Sequence, residues 1–298
     1  MYETFSALAG RLGAPYARKL AAASIRMAGA FESAPPPPGL RRTVMGLSFP
    51  SPVGLAAGFD KRGTLYPALP GLGFGFAEIG SVIPRPEPGR SPGLAAVMHR
   101  LGNYCAPHPI PLGVSISMNR ATPLKQIPMD YLDGLQKLWR YADYITLNLG
   151  VRAGPDLHLP ENRSMLHAVF SEIKRERWAL ASVDGRRVPI AVKIDQGRGD
   201  TEELVDCVRD YGFDGLILSG EGKGDASAKL VALERFVHVL RDEMPIISVG
   251  GIRTAQDARD RLNAGAALLQ VYTGMVQSGP GWVKSINEDL LASGVGCR

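Results

Sequence analysis

From residue 51 onward, short apolar runs alternate with segments of helical periodicity. The runs fall at 51–58, 74–82, 111–118, 143–149, 189–195, 214–219, 245–250 and 267–272, and are rich in Val, Ile, Leu and Gly. Apolar residues at consecutive positions indicate strands covered on both faces. Helical patterns lie at 130–141, 162–178, 201–211, 227–243, 255–264 and 281–292. Thr201-Glu202-Glu203 puts acids in one first turn, and Thr254 is an N-cap candidate for another. Eight strands with helices between them predict an α/β fold, a (β/α)8 TIM barrel. Between the second and third strands, 83–110 carries six prolines and little helical period. The helix there is expected to be shortened or missing.

Ahead of the barrel, 2–30 reads as two short helices broken near Gly13-Ala14-Pro15. Phe5, Leu8 and Leu12 share one face, and Leu20, Ile25 and Met27 form a second apolar surface. Arg11, Arg18, Lys19 and Arg26 stand against Glu3 alone. Such a basic amphipathic pair can lie on an anionic membrane surface or pack across the bottom of the domain; both readings stay open. Pro35 to Pro38 form a stiff linker. The expected organisation is a helical extension at 1–34, a linker leading into the barrel at 35–50, and the barrel at 51–298.

Composition narrows the class. The chain has 298 residues, 45% of them hydrophobic, enough for one large domain. Net charge is +5 with no run of like charge, which argues against a nucleic-acid partner. Three scattered cysteines, Cys105, Cys207 and Cys297, favour a reducing, cytoplasmic setting. No apolar run is long enough to span a bilayer, and 1–30 lacks a signal-peptide core. His99, His108, His158 and His167 show no ligand spacing, so no metal is expected.

The candidate chemistry sits at strand ends. Gly58 closes the first strand in Gly54-Leu-Ala-Ala-Gly-Phe-Asp-Lys61, where backbone can approach a ligand and Lys61 can reach it. Gly250-Gly251 and Thr273-Gly274 offer backbone N–H groups after the last two strands, an arrangement suited to a phosphate dianion. Lys193 is a charge inside the apolar run Ile190-Ala-Val-Lys-Ile194, and Asn148 a polar group inside Ile145-Thr-Leu-Asn-Leu149; each needs a partner. Ser81 and Ser219 close two other strands, and could serve a ligand or the fold alone.

These motifs, with Met45-Gly-Leu-Ser-Phe49, Gly73-Phe-Gly-Phe-Ala-Glu-Ile-Gly-Ser-Val82, Pro84-Arg-Pro-Glu-Pro-Gly89, Pro245-Ile-Ile-Ser-Val-Gly-Gly-Ile252 and Gln270-Val-Tyr-Thr-Gly274, resemble the dihydroorotate dehydrogenase family, in particular its membrane-associated class 2 branch. The resemblance covers nearly the whole chain. It implies bound FMN, with contacts at Ala57, Gly58, Lys61, Ser81, Ser115, Asn148, Lys193, Ser219, Gly250, Gly251, Tyr272 and Thr273. It also implies a small-molecule substrate at Lys61 and Asn148, a quinone acceptor, and N-terminal helices that shape a quinone tunnel at the inner face of the cell membrane.

The chain also departs from the family pattern. The position of the catalytic serine is Val151, and that of a substrate asparagine is Ala153. Two further substrate amides are replaced in Arg100-Leu-Gly-Asn-Tyr-Cys105, and Gly220-Glu221 stands where the family has Asn-Thr. A flavin-contacting asparagine aligns with Ser115, and the glycine-containing loop after the sixth strand is largely deleted. These losses lead to the expectation of an FMN-dependent oxidoreductase acting on a CH–CH group of a metabolite other than dihydroorotate. Cys105, Tyr104, His158 and Glu221 are candidates for proton transfer or substrate contact, Cys105 foremost, beside Lys61. Two alternatives stand: dihydroorotate oxidation retained through another base, and a non-catalytic flavoprotein or partner subunit whose uncovered barrel surface needs a homo-oligomer or second protein.

Overall fold

The computed structural model describes residues 14–31, 35–104, 106–150, 155–196, 201–220, 226–240 and 243–295. Eight parallel strands close into a barrel in the order β10-β3-β4-β5-β6-β7-β8-β9. They are β3 Val53–Leu55, β4 Phe76–Val82, β5 Leu112–Ile116, β6 Tyr144–Asn148, β7 Ile190–Asp195, β8 Gly215–Ser219, β9 Ile246–Val249 and β10 Leu268–Val271. Each lies within an apolar run identified above. The strands are buried almost throughout, as strands covered by both an interior and a helical layer must be.

The outer layer holds α2 Leu94–Leu101, α3 Ile127–Leu138, α4 Arg163–Asp184, α5 Thr201–Asp210, α6 Ala226–Leu240, α7 Ala255–Asn263, α8 Thr273–Ser278 and α9 Trp282–Ala292. The acids of Thr201-Glu202-Glu203 fall in the first turn of α5. Thr254 caps α7 in a full capping box, its hydroxyl accepting from Asp257 N while the Asp257 carboxylate accepts from Thr254 N. The proline-rich segment before β5 keeps only the eight-residue α2, which buries Leu94, Val97 and Leu101. That helix is shortened, not missing.

The N-terminal extension contributes α1, Ala14–Phe31. Ala21 and Ile25 are buried where it docks on the 3-10 turns Tyr66–Ala68 and Pro70–Leu72 and on α8. The expected helix before residue 13 lies outside the described residues. A hairpin, β1 Arg42–Val44 with β2 Leu47–Phe49, is an element the hydrophobic pattern does not announce. It closes the barrel mouth at the N-terminal strand ends. Val44 and Phe49 join Phe76, Tyr144, Ala191, Ile217, Ile247 and Leu268 in one buried cluster, with the Phe49 and Phe76 rings edge to face at 5.3 Å. Glycines make room for the large rings: a Cβ on Gly54 would overlap Phe76, and one on Gly113 would overlap Tyr144.

Phe49 is fully buried, so Phe49→Ala is expected to lower unfolding free energy by about 3–5 kcal/mol. Urea denaturation measures this; a loss below about 1 kcal/mol would mean the hairpin is no part of the core.

Candidate functional site

Alternation along the strands sorts the barrel interior into layers. On β4, β6 and β10 the inward series run Phe76–Glu78–Gly80, Tyr144–Thr146–Asn148 and Leu268–Gln270–Tyr272. Above the aromatic floor lies Glu78, fully buried. Its Oε2 accepts from Gln270 Nε2 at 2.7 Å, Thr146 Oγ1 at 3.0 Å and Tyr144 OH at 3.2 Å. Lys193, also buried, offsets its charge electrostatically. Burial still dominates and holds the Glu78 carboxyl above the usual range; Lys193 and the three donors pull it down only in part. Glu78 Oε1 and Gln270 Oε1 have no hydrogen-bond partner among the described residues.

The next layer up holds most of the interior candidates. Asn148 pairs in register with Lys193. Asn148 Nδ2 donates to Ser81 Oγ at 2.6 Å, and Ser81 and Ser115 share a hydrogen bond of 3.0 Å. Asn148 Oδ1 accepts from Gly150 N at 3.1 Å, while its backbone carbonyl accepts from Tyr131 OH and Ser117 Oγ. The structure therefore brings Ser81, Ser115, Asn148 and Lys193 together. Ser219 closes β8 nearby, aligned with Asp195 and Val249.

Beside this layer is a cleft of about 530 Å3 at the ends of β3, β8, β9 and β10. Its lining includes Ala57, Gly58, Lys61, Gly250, Gly251, Tyr272 and Thr273, all expected above, and also Gly220, Lys229 and Arg253. Gly58 has φ +100° and donates to Gly80 O at 2.7 Å; Gly250 and Gly251 have φ +98° and +79°. Side chains are strained at such φ values, so glycine leaves the backbone bare where a ligand can meet it. Asp60 fixes the loop that carries Lys61 by accepting from Thr64 N and Leu65 N. Arg261, almost fully buried, ties α7 to the glycine turn by donating to Ser248 Oγ at 2.7 Å and Gly250 O at 3.2 Å. The start of α7 itself is closed by its capping box, so the anion-binding potential there belongs to the glycine turn.

Other candidates fall elsewhere. Tyr104 donates its hydroxyl to Gly63 O and packs against Tyr66; its proton is committed to that carbonyl, and burial raises its pKa. His158 is buried, with Nδ1 on Asp156 Oδ1 at 3.0 Å and Nε2 accepting from Asp195 N at 3.2 Å. It ties the end of β7 to the preceding loop and offers no open nitrogen as a base. Cys105, Val151, Ala153 and Glu221 lie outside the described residues. Sequence reasoning missed Glu78, Gln270, Lys229, Arg253 and Arg261. Glu78 carried the same signal as Lys193, a charge within an apolar strand; Lys229 reads in sequence as an ordinary helix-surface lysine.

The sequence model of the family described as dihydroorotate dehydrogenase matches residues 39–223 and 217–293. The chain belongs to the dihydroorotate dehydrogenase family. It is an oxidoreductase acting on a CH–CH group. Its relatives include the dihydroorotate dehydrogenase (quinone) of Chloroflexus aurantiacus, 37% identical over 297 residues that cover 85% of this chain and 82% of the relative. That of Methylococcus capsulatus is 34% identical over 329 residues, covering 95% and 96%. A solved structure of the Eimeria tenella enzyme, bound to ferulenol, superposes with a TM-score of 0.77 at 26% identity, over 93% of this chain and 92% of that one.

These relatives overturn the expectation of a substrate other than dihydroorotate. That expectation summed losses motif by motif. Groups that act as a unit do not contribute additively, and the layer around Asn148 and Lys193 is intact across strands that the similarity spans from end to end.

With its pKa raised in the folded state, Glu78 adds stability fully present below the unfolded carboxyl value near ~4.3. That contribution falls as pH rises, by up to about 1.4 kcal/mol per unit, until the folded pKa is passed. Glu78→Gln removes the titration, so above the unfolded carboxyl value its urea midpoint is expected to fall less steeply with pH than that of wild type. Parallel curves would show that burial does not burden this carboxyl.

Proposed function

We propose that the chain binds FMN, oxidises dihydroorotate to orotate in pyrimidine biosynthesis, and passes the electrons to a quinone. The observation that carries this reading is the run of relatives named dihydroorotate dehydrogenase (quinone), at 34–37% identity over most of their length. The residues fit such a cofactor. Bare glycine backbone at Gly58, Gly250 and Gly251 opens onto a cleft that, among the described residues, is lined by cations and no carboxylate, as suits a phosphate. Ser81, Ser115, Asn148 and Ser219 supply neutral hydrogen-bonding groups on the barrel side, with Ala57, Tyr272 and Thr273 along the rim.

When bound, FMN supplies the hydride acceptor for the substrate and the electron store for the quinone. Lys193, a buried cation, would stabilise negative charge on a bound flavin ring. Lys61 orients the anionic substrate, with Asn148, Tyr104 and Glu221 as further contacts. Cys105 takes the carbon-bound proton in place of the serine the family pattern has at Val151.

Among the described residues no helix is long and apolar enough to cross a membrane. The quinone reading instead assigns α1 a peripheral contact with the inner face of the cell membrane. Tyr16 and Met27 are exposed on this helix, beside Lys19 and Arg26, an apolar and basic pairing suited to a bilayer surface.

Purified protein is expected to show flavin absorbance that bleaches on anaerobic dihydroorotate and returns on adding a soluble quinone. Flavin peaks that dihydroorotate leaves unchanged would sink the substrate assignment. Cys105→Ala is expected to keep the spectrum and lower kcat roughly 10²–10⁴-fold; wild-type turnover would remove Cys105 from the role.

A further inference from the structure

Backbone donors alone do not explain the charge pattern of the strand-end cleft. Among the described residues three cations line it, Lys61, Lys229 and Arg253, and no carboxylate does. Lys61 is engaged, its Nζ donating to Gly89 O at 2.9 Å. Lys229 differs. It lies in the first turn of α6 and is half-buried. Its stem runs along Gly220, so closely that a Cβ there would come within 3.0 Å of Lys229 Cδ. Among the described residues its ammonium has no ion-pair or hydrogen-bond partner.

The end of the Lys229 side chain lies beside a defined place, its Cδ 3.7 Å and its Nζ 3.9 Å from where a side chain at Gly251 would begin. Arg261 Nη2 is 3.6 Å from the same place. Two cations from two helices, α6 and α7, thus lie within 4 Å of one spot beside a glycine of φ +79° on the wall of the cleft. Arg261 is only 4% exposed; its hydrogen-bond partners, Ser248 Oγ and Gly250 O, are neutral, and the Asp257 carboxylate acts on its charge without a hydrogen bond. Placing two like charges around one spot is unfavourable unless an anion occupies it, and the attraction strengthens where water is partly excluded. A phosphoryl dianion matches both the charge and the multiple donors.

We propose that Lys229 is the phosphate-specificity residue of the cofactor cleft: its ammonium, with the Gly251 backbone and the Arg261 field beneath, holds the flavin's phosphoryl group and separates FMN from unphosphorylated riboflavin. The inference rests on the FMN reading above and adds the residue that enforces it. Gly220 belongs to the same device, because its missing side chain lets the lysine stem lie flat against the end of β8.

The test is flavin affinity of the full chain, freed of bound flavin by dialysis and titrated by fluorescence quenching with FMN and, separately, with riboflavin. Lys229→Met is expected to weaken FMN binding by about tenfold to a hundredfold, the worth of one charge-assisted contact. Riboflavin affinity is expected to stay unchanged. Lys229→Arg should restore most of the FMN affinity, and the salt dependence of FMN binding should fall in Lys229→Met. Wild-type FMN affinity in Lys229→Met, or equal weakening of both flavins, overturns the inference and leaves the cofactor assignment standing. A wild-type chain that binds neither flavin overturns both.

Discussion

A carboxyl group enclosed by a β-barrel sets the terms for everything above it. Glu78 is fully buried, and an unpaired ion there would cost several kcal/mol. The strands around it are therefore constrained in sequence. Tyr144, Thr146 and Gln270 must each present a donor at the same height, and Lys193 must bring a positive charge one layer up. Register follows from this, because a one-residue slip of any of these strands would turn its donor outward into the helical layer. The Asn148–Lys193 pair then appears at the strand ends as the next step of the same alternation.

The eight strands were legible because burial on both faces writes itself as runs of Val, Ile and Leu. The cap of α7 was legible because Thr254 and Asp257 carry a local hydrogen-bond signature. The hairpin at residues 42–49 was not: its strands are three residues each, too short for alternation to rise above chance, and their role is defined only by the barrel they stop. Glu78 shows a different limit. Its neighbours Phe76, Ala77 and Ile79 marked a buried strand, yet which buried polar residue meets which is fixed by strands 66 to 192 residues away in the chain. Lys193 drew attention because lysine is conspicuous in such a run, and the same rule applied to Glu78 would have found its counterpart.

The site divides along similar lines. Glycine turns after β3 and β9 could be read directly, since only a backbone in an unusual conformation explains glycine there. The acid–base chemistry could not. A valine at position 151 cannot accept a proton, and its identity says nothing about what a neighbouring loop brings within reach of the substrate. His158 makes the point from the other side: buried beside the mouth of the barrel, it proves to be a strut between Asp156 and the backbone of Asp195.

The hairpin has one more consequence. Val44 and Phe49 shut the lower mouth directly beneath Tyr144 and Phe76, the residues that flank Glu78. The permittivity felt by that carboxyl is thus a product of a short segment that precedes the barrel in the chain. An opening of the hairpin, even a brief one, would wet the interior from below, allow Glu78 to ionise, and change the field acting on Lys193 without moving a single residue of the upper rim.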